Sequence, residues 1–341
     1  MATLVDSSVE KKMHPLEEAM ALFRKITEEH ARFHSVSFIL FGLEVFLFIL
    51  LYGYLQKTLW ITFLLGAILF TAISYFVIKF YLDSKKPDSL LSLKDHYLDL
   101  CKKDLIFSEN SKEFHLTLSS NLFNFATNLS GYEYQLYKSP SKALIPFFRH
   151  VSCFFHWKEV FFIREQLMQL AIDEHIQIVQ LFPNDLETHA SLAESFIQIS
   201  KLYAELLKTQ EPWIKKSAAE LDIENKFRIS SDLALEELNI VENFSTKTPW
   251  TLAQKASIFH ELKKPNDEIY CYEMILDINP QDEAVIYRLG VLYFAQGMVT
   301  KGLECYHKLK ESGDIRAENL IKLYDARFNQ MMYQYKSALF D

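Results

Sequence analysis

Residues 36–55 contain one charged side chain, Glu44, and residues 59–78 contain none. A helix rising about 1.5 Å per residue needs about 20 predominantly apolar residues to cross a hydrocarbon core about 30 Å thick. Each run has that length. A segment in lipid must satisfy its own backbone N–H and C=O groups, so each run must be helical. Only Gln56, Lys57 and Thr58 separate the two. So short a turn forces an antiparallel hairpin and brings both flanking chains out on one side. Arg24, Lys25 and Arg32 precede the first run, Lys79, Lys85 and Lys86 follow the second, and Lys57 stands alone in the turn. That imbalance places both chain ends in the cytosol. Tyr52, Tyr54, Trp60, Tyr75 and Tyr81 lie towards the span ends, where amphipathic rings meet headgroups. A cleaved leader fits worse, because a long polar segment precedes the first run and no small-residue cleavage site follows it. The expectation is an integral membrane hairpin, residues 35–82, in a bacterial inner membrane, with an inclusion or other host membrane as the alternative.

An intramembrane carboxylate is costly and marks a polar contact or a pathway. In a hairpin turning near Lys57, Glu44 comes level with Thr71 and Ser74, whose hydroxyls can hydrogen-bond it. One acid with no other ionisable group at that depth is too little for transport. Glu44, Thr71 and Ser74 are therefore expected to make a structural or oligomerising contact.

The second half of the chain carries a period. Cys271–Tyr272 returns thirty-four residues later as Cys305–Tyr306, Phe259 as Tyr293, Ile275 as Leu309, and Lys255–Ala256 as Leu289–Gly290. The same step backwards from Glu268, Tyr272 and Ile275 reaches Ala234, Leu238 and Val241. Further back, Ala171, His175 and Ile178 lead to Pro183 and then to Leu192, Ala193 and Phe196, with Pro183 spaced as Pro280 is in the later unit. A fixed period of this length means a supersecondary unit that buries its apolar face only by stacking on its neighbours. The segment Ile286-x-x-Leu289-Gly290-x-x-Tyr293, with Gly302-x-x-x-Tyr306-x-x-Leu309, resembles the tetratricopeptide repeat over about residues 165–316. Residues 205–233 interrupt the spacing and are rich in helix formers, so they read as longer or additional helices. Lys255 and Glu268 stand where the family has a large apolar and a small residue; on facing helices they either pair with each other or remain two solvated charges on a loosened repeat.

The chain as a whole is read as all-α, a transmembrane hairpin followed by a TPR-like α-solenoid, since alternating strand patterns are hard to find and glycine is scarce. Residues 1–34 form an amphipathic arm on which Leu16, Ala19, Met20, Phe23, Ile26 and Phe33 share a face, for packing or self-association. Residues 83–140 are a helical linker, with Pro87 ending the membrane exit and helices over Leu90–Phe107 and Lys112–Leu129. The solenoid occupies 141–316, and 317–341 close it as a capping helix. The aromatic run from Leu144 to Ile163 is interrupted by Arg149, His150, His156, Lys158 and Glu159, so it reads as a buried or membrane-facing helix pair rather than a third span.

Chemistry is sparse. Net charge is −8, so no basic nucleic-acid footprint exists. The four cysteines, at 101, 153, 271 and 305, form no C-x-x-C and read as reduced and buried. His30 and His34 are one turn apart without further ligands, and no phosphate loop, nucleophile elbow or zinc motif occurs. The expectation is a non-enzyme with no cofactor and no metal. The resemblance implies a groove lined by inner helices, here Trp250, Ala253, Ser257 and His260 in one unit and Ala284, Tyr287, Val291 and Phe294 in the next. Aromatic and apolar rather than basic, with Arg288 nearby, such a groove suits an amphipathic helix or apolar peptide. The function expected is a membrane-anchored interaction scaffold or adaptor, a homo-oligomer included among its forms. The alternative is a secreted inclusion-type or membrane-remodelling protein in which the hairpin is the active element, since two spans with so short a turn resemble the hydrophobic domain of Inc-type inclusion-membrane proteins.

Overall fold

A computed structural model describes residues 2–55, 60–108, 111–137, 141–245 and 247–325, with side chains from residue 15 onward and excluding 54–55. The expected turn at 56–58 and most of the closing segment lie outside the described residues. Among those residues every regular element is helical and no strand occurs. The chain divides into two units, Met1–Leu181 and Phe182–Asp341.

The first unit is built from α1 (Ala2–Leu55), α2 (Trp60–Asp104), α3 (Lys112–Asn128) and α4 (Ile145–Leu181). The helices α1 and α2 pack along each other and carry the two apolar runs. Neither breaks where apolar sequence meets polar sequence. Pro87 does not end the membrane exit; it lies inside α2, which runs on to Asp104. An interior proline costs a helix hydrogen bond and a clash, roughly 3 kcal/mol. Burial of Leu90, Leu93, Tyr97 and Cys101 in the turns that follow offsets it.

The amphipathic arm is the part of α1 that precedes the first apolar run. Ala19, Phe23, Thr27, Ala31 and His34 bury one face, with the Phe23 ring edge-on to Tyr132 and Arg24 Nε donating to the Tyr132 hydroxyl at 3.3 Å. Between α3 and α4 lies the apolar core of the unit, including Leu118, Leu122, Phe125, Ile163 and Leu167. Ser111 caps α3 by accepting from the Phe114 N–H.

One expectation changes here. The aromatic run 144–163 is not a helix pair; from Ile145 it belongs to a single helix that continues to Leu181. This helix packs on α3 and α2 within the first unit and buries Ala171, His175 and Ile178. Burial without a compensating charge pushes the His175 imidazole down to about 4.

The second unit contains α5 (Leu186–Lys208), α6 (Pro212–Glu220), α7 (Ile223–Phe244), α8 (Pro249–Glu261), α9 (Pro265–Ile278), α10 (Glu283–Ala295) and α11 (Val299–Glu311). The period is visible in the starts: Pro249 to Glu283 and Pro265 to Val299 are each one thirty-four-residue step. Short turns make α8–α9 and α10–α11 antiparallel pairs, and α5 pairs with α7. Residues 205–233 do form longer and additional helix: the end of α5, all of α6 and the start of α7.

Local chemistry sets the boundaries. Asp185, Thr248 and Asp282 cap α5, α8 and α10 through side-chain oxygens, and Pro249 and Pro265 occupy first turns, where a missing N–H costs nothing. Gly297, with φ 76°, and its repeat equivalent Lys263, with φ 55°, both take the left-handed conformation that turns the chain after α10 and α8.

Small residues let the pairs close. Ala193, Ala234 and Ala256 are fully buried, beside Ile197, Leu238 and Ile258. Gly302 is the tightest case, since the edge of the Phe294 ring stands where a Cβ would go. Residues 316–325 are helical and bury Ala317 and Leu320 on the last pair, the described part of the closing segment.

Gly302→Ala forces a buried ring to move and is expected to cost roughly 1–3 kcal/mol, read as a lower urea midpoint with unchanged slope. The lowered imidazole pKa of His175 gives a pH dependence of defined sign. The folded state holds His175 neutral, so stability is full above the unfolded value near 6.5 and falls as pH drops from there towards about 4. The full chain in detergent should lose melting temperature between pH 7 and 5, and His175→Gln should lose less.

Candidate functional site

The residues expected to line a groove lie on α8 and α10, the first helices of the two regular pairs. On α8, Trp250, Ala253, Ser257 and His260 follow a spacing of three and four, which keeps them on one face. Trp250, Ala253 and His260 are exposed and Ser257 is half-buried. On α10, Ala284 is exposed, while Tyr287 and Val291 are half-buried. The Arg316 guanidinium sits over the Tyr287 ring, 6.0 Å from its centroid. Phe294 is the exception and does not line the surface. It is 4 % exposed, packs on Tyr324 at 5.0 Å between centroids, and fills the space left by Gly302.

The two charged departures from the repeat pattern do not pair with each other. Lys255, on α8, reaches back to α7, where its Nζ donates to Asn239 Oδ1 at 2.7 Å and to Glu242 Oε2 at 2.6 Å. Glu268, on α9, accepts from Arg288 of α10, with Nε at 3.1 Å and Nη2 at 2.8 Å from Oε1. His260 joins this second group, its Nδ1 lying 2.8 Å from Arg288 Nη2 and 3.2 Å from Glu268 Oε2. Each charge thus bonds across the joint between successive units. The reason is geometric: Lys255 and Glu268 are on different helices of one pair, but each faces the neighbouring pair. Sequence reasoning flagged both residues as anomalies and missed their partners.

This pairing decides the character of the surface. Arg288 is committed to a carboxylate that is 2 % exposed, so it does not supply a free basic clamp. Of the residues considered on α8 and α10, Trp250, Ala253, His260 and Ala284 are exposed and Tyr287 is half-buried.

The hairpin offers a second site. Thr71 Oγ1 donates to Glu44 Oε1 at 2.8 Å, as the register of the two runs implies, and Ser74 lies one turn further along α2. Both helices are long and apolar enough to cross a membrane, and each contains an 18-residue window of mean hydropathy 2.3 with none of its residues buried. Phe38, Ile39, Phe46, Phe63, Phe70 and Phe80 are all more than half exposed.

Where the apolar runs end, polar groups converge inside the first unit. Lys86 of α2 donates to Glu159 of α4 and lies 2.9 Å from Asp83 Oδ1. His156 Nδ1 is 3.0 Å from Glu159 Oε2. Burial works against the Lys86 ammonium, but the facing carboxylates raise its pKa overall. For Glu159 burial favours the neutral acid, and bonds from His156 and Lys86 hold it below the ordinary carboxylate range. All four cysteines are buried and outside any disulfide, and burial pushes Cys101, Cys271 and Cys305 up to about 11. Among the described residues no cluster of three or more His, Cys, Asp or Glu side chains is arranged to hold a metal ion.

No protein-family model and no curated protein matches this chain. Among solved structures it aligns with the crystal structure of the P58(IPK) TPR domain, at 13 % identity and a TM-score of 0.25, over 95 % of this chain and 99 % of that one. So low a score carries no argument, and the TPR-like character rests on the helix pairs and their thirty-four-residue step.

Arg288→Met strands the Glu268 carboxylate. Because Arg288 is partly exposed, the expected cost is roughly 2–3 kcal/mol, below that of a fully buried pair. Adding Glu268→Ala, the small residue the repeat pattern prefers, should recover most of it in a urea double-mutant cycle.

Proposed function

We propose that this protein is a membrane-anchored interaction scaffold, with a TPR-like stack that presents an aromatic and apolar surface on the cytosolic side to an amphipathic helix or apolar peptide. The observation that carries the reading is the combination on α8 and α10: regularly stacked first helices that carry Trp250, the half-buried Tyr287 and small side chains, with Arg288 bonded to Glu268 and Arg316 bonded to Asp314. A helical ligand gains affinity by seating apolar anchors against such a surface, and aromatic side chains dominate the energetics of contacts of this kind.

Anchoring is supported by the exposed apolar belt of α1 and α2. A soluble protein rarely leaves so large a contiguous apolar area uncovered, whereas lipid is its natural solvent. The flanking lysines and arginines support a topology with both ends in the cytosol. Glu44 and Thr71 then act as a polar tie within the anchor.

The test uses the full chain reconstituted in phospholipid vesicles. It should float with the vesicles after alkaline washing and capture amphipathic helical peptides from a displayed library. Trp250→Ala with Tyr287→Ala should cut capture at least tenfold, about 1.4 kcal/mol. Tyr270→Ala, an exposed change on α9, should leave capture intact. Equal capture by all variants, or release of the protein by the alkaline wash, overturns the corresponding half of the proposal.

A further inference from the structure

The first turns of α4 carry a surface that the scaffold reading does not use. Leu144 just before the helix, then Phe147, Val151 and Phe154, recur at spacings of three and four and form a single stripe. Leu144 is 45 % exposed, Phe147 62 % and Phe154 52 %, while Val151 is half-buried. The opposite face of the same helix, with Ser152, Cys153, His156, Trp157 and Val160, is buried in the bundle. The helix is held in the bundle from Ser152 onward, while residues 141–147, 149 and 150 are exposed and Phe148 is half-buried, so the first turns stand out from the bundle with Leu144 and Phe147 uncovered.

Two observations identify what covers the stripe. The first is continuity. Phe154 meets Phe155 edge-on at 5.2 Å, Phe155 lies 6.0 Å from Phe38, and Phe38 lies 5.7 Å from Tyr75. These contacts join the stripe to both apolar runs. Along α4, Glu159 meets Lys86 at the exit of the second run, and Phe155, one turn earlier, meets Phe38 inside the first run. Going back along α4 thus moves from the polar exit towards the apolar belt. The second observation is charge. Lys142, Arg149 and Lys158 are exposed around the stripe, and no acidic residue occurs from 142 to 158. A basic, aromatic helix face of this kind suits the boundary between anionic headgroups and acyl chains.

We infer that the exposed stripe Leu144–Phe147–Phe154 of α4, ringed by Lys142, Arg149 and Lys158, is an interfacial docking face for anionic phospholipid, seated in the same leaflet that the hairpin enters. The inference rests on the membrane reading of the hairpin. Lys142, Arg149 and Lys158 together reach the headgroups, and Phe147 and Phe154 lie among the upper acyl chains.

The experiment places an environment-sensitive fluorophore on Phe147→Cys in the full chain, the natural cysteines being buried. Vesicles are phosphatidylcholine with or without phosphatidylglycerol. A parallel label at Leu69→Cys, in the second apolar run, reports the hairpin. The label at 147 should be quenched by nitroxide-bearing lipid and shielded from aqueous iodide, more strongly with phosphatidylglycerol. Reversal of Lys142, Arg149 and Lys158 to Glu should abolish that added quenching without changing quenching at 69. A label at 147 that iodide reaches and lipid does not, while 69 is lipid-quenched, overturns the inference and leaves the anchor standing. Shielding from both quenchers means that protein, such as a second copy, covers the stripe, and also overturns it. Absence of lipid quenching at 69 removes the anchor and this inference together.

Discussion

A lysine sealed between two helices holds the first unit in register. Lys86 comes from the turn of α2 that leaves the apolar run, and Glu159 meets it from the middle of α4. An unpaired buried ammonium is costly enough to lose its proton or unfold its surroundings. Here Glu159 and Asp83 keep it charged, and His156 occupies the second oxygen of Glu159. Sliding α4 by one turn would break all of these contacts at once. The position of the aromatic face along α4, relative to the apolar belt, follows from this one set of bonds.

The same device recurs in the second unit with a different task. Lys255–Glu242 links α8 to α7, and Arg288–Glu268 links α10 to α9. Apolar contacts between stacked helices tolerate small slips, whereas a buried ion pair has one good geometry. The repeat here lacks the regular large-and-small pattern at two positions. Its charged substitutes fix how successive pairs meet, and the small residues Ala193, Ala234, Ala256 and Gly302 set how closely they approach.

Much of this was legible in the sequence, for reasons that can be stated residue by residue. The hairpin could be bounded because charge is excluded from residues 59–78, and the register of an antiparallel pair follows from its turn, which is why Glu44 and Thr71 could be matched. The period placed Ala234, Leu238, Val241, Cys271 and Leu309 in the core, since equivalent positions in a stack meet equivalent surroundings. What failed had nonlocal causes. Phe294 was read as surface, yet the space that buries it is created by a missing side chain at Gly302 and covered by Tyr324. Lys255 and Glu268 could not be assigned partners, because a charge between two units can bond forwards or backwards.

The unbroken course of α2 through Pro87 has a mechanical consequence. A 45-residue helix is a rod of roughly 68 Å at about 1.5 Å per residue, and it contains no joint where apolar sequence ends. On the anchored reading, any tilt that bilayer thickness imposes on the span is handed on to the helices packed around Leu90, Leu93 and Tyr97. On that same reading the rod is a lever with lipid at one end and the bundle at the other, and the bundle takes the attitude of the membrane.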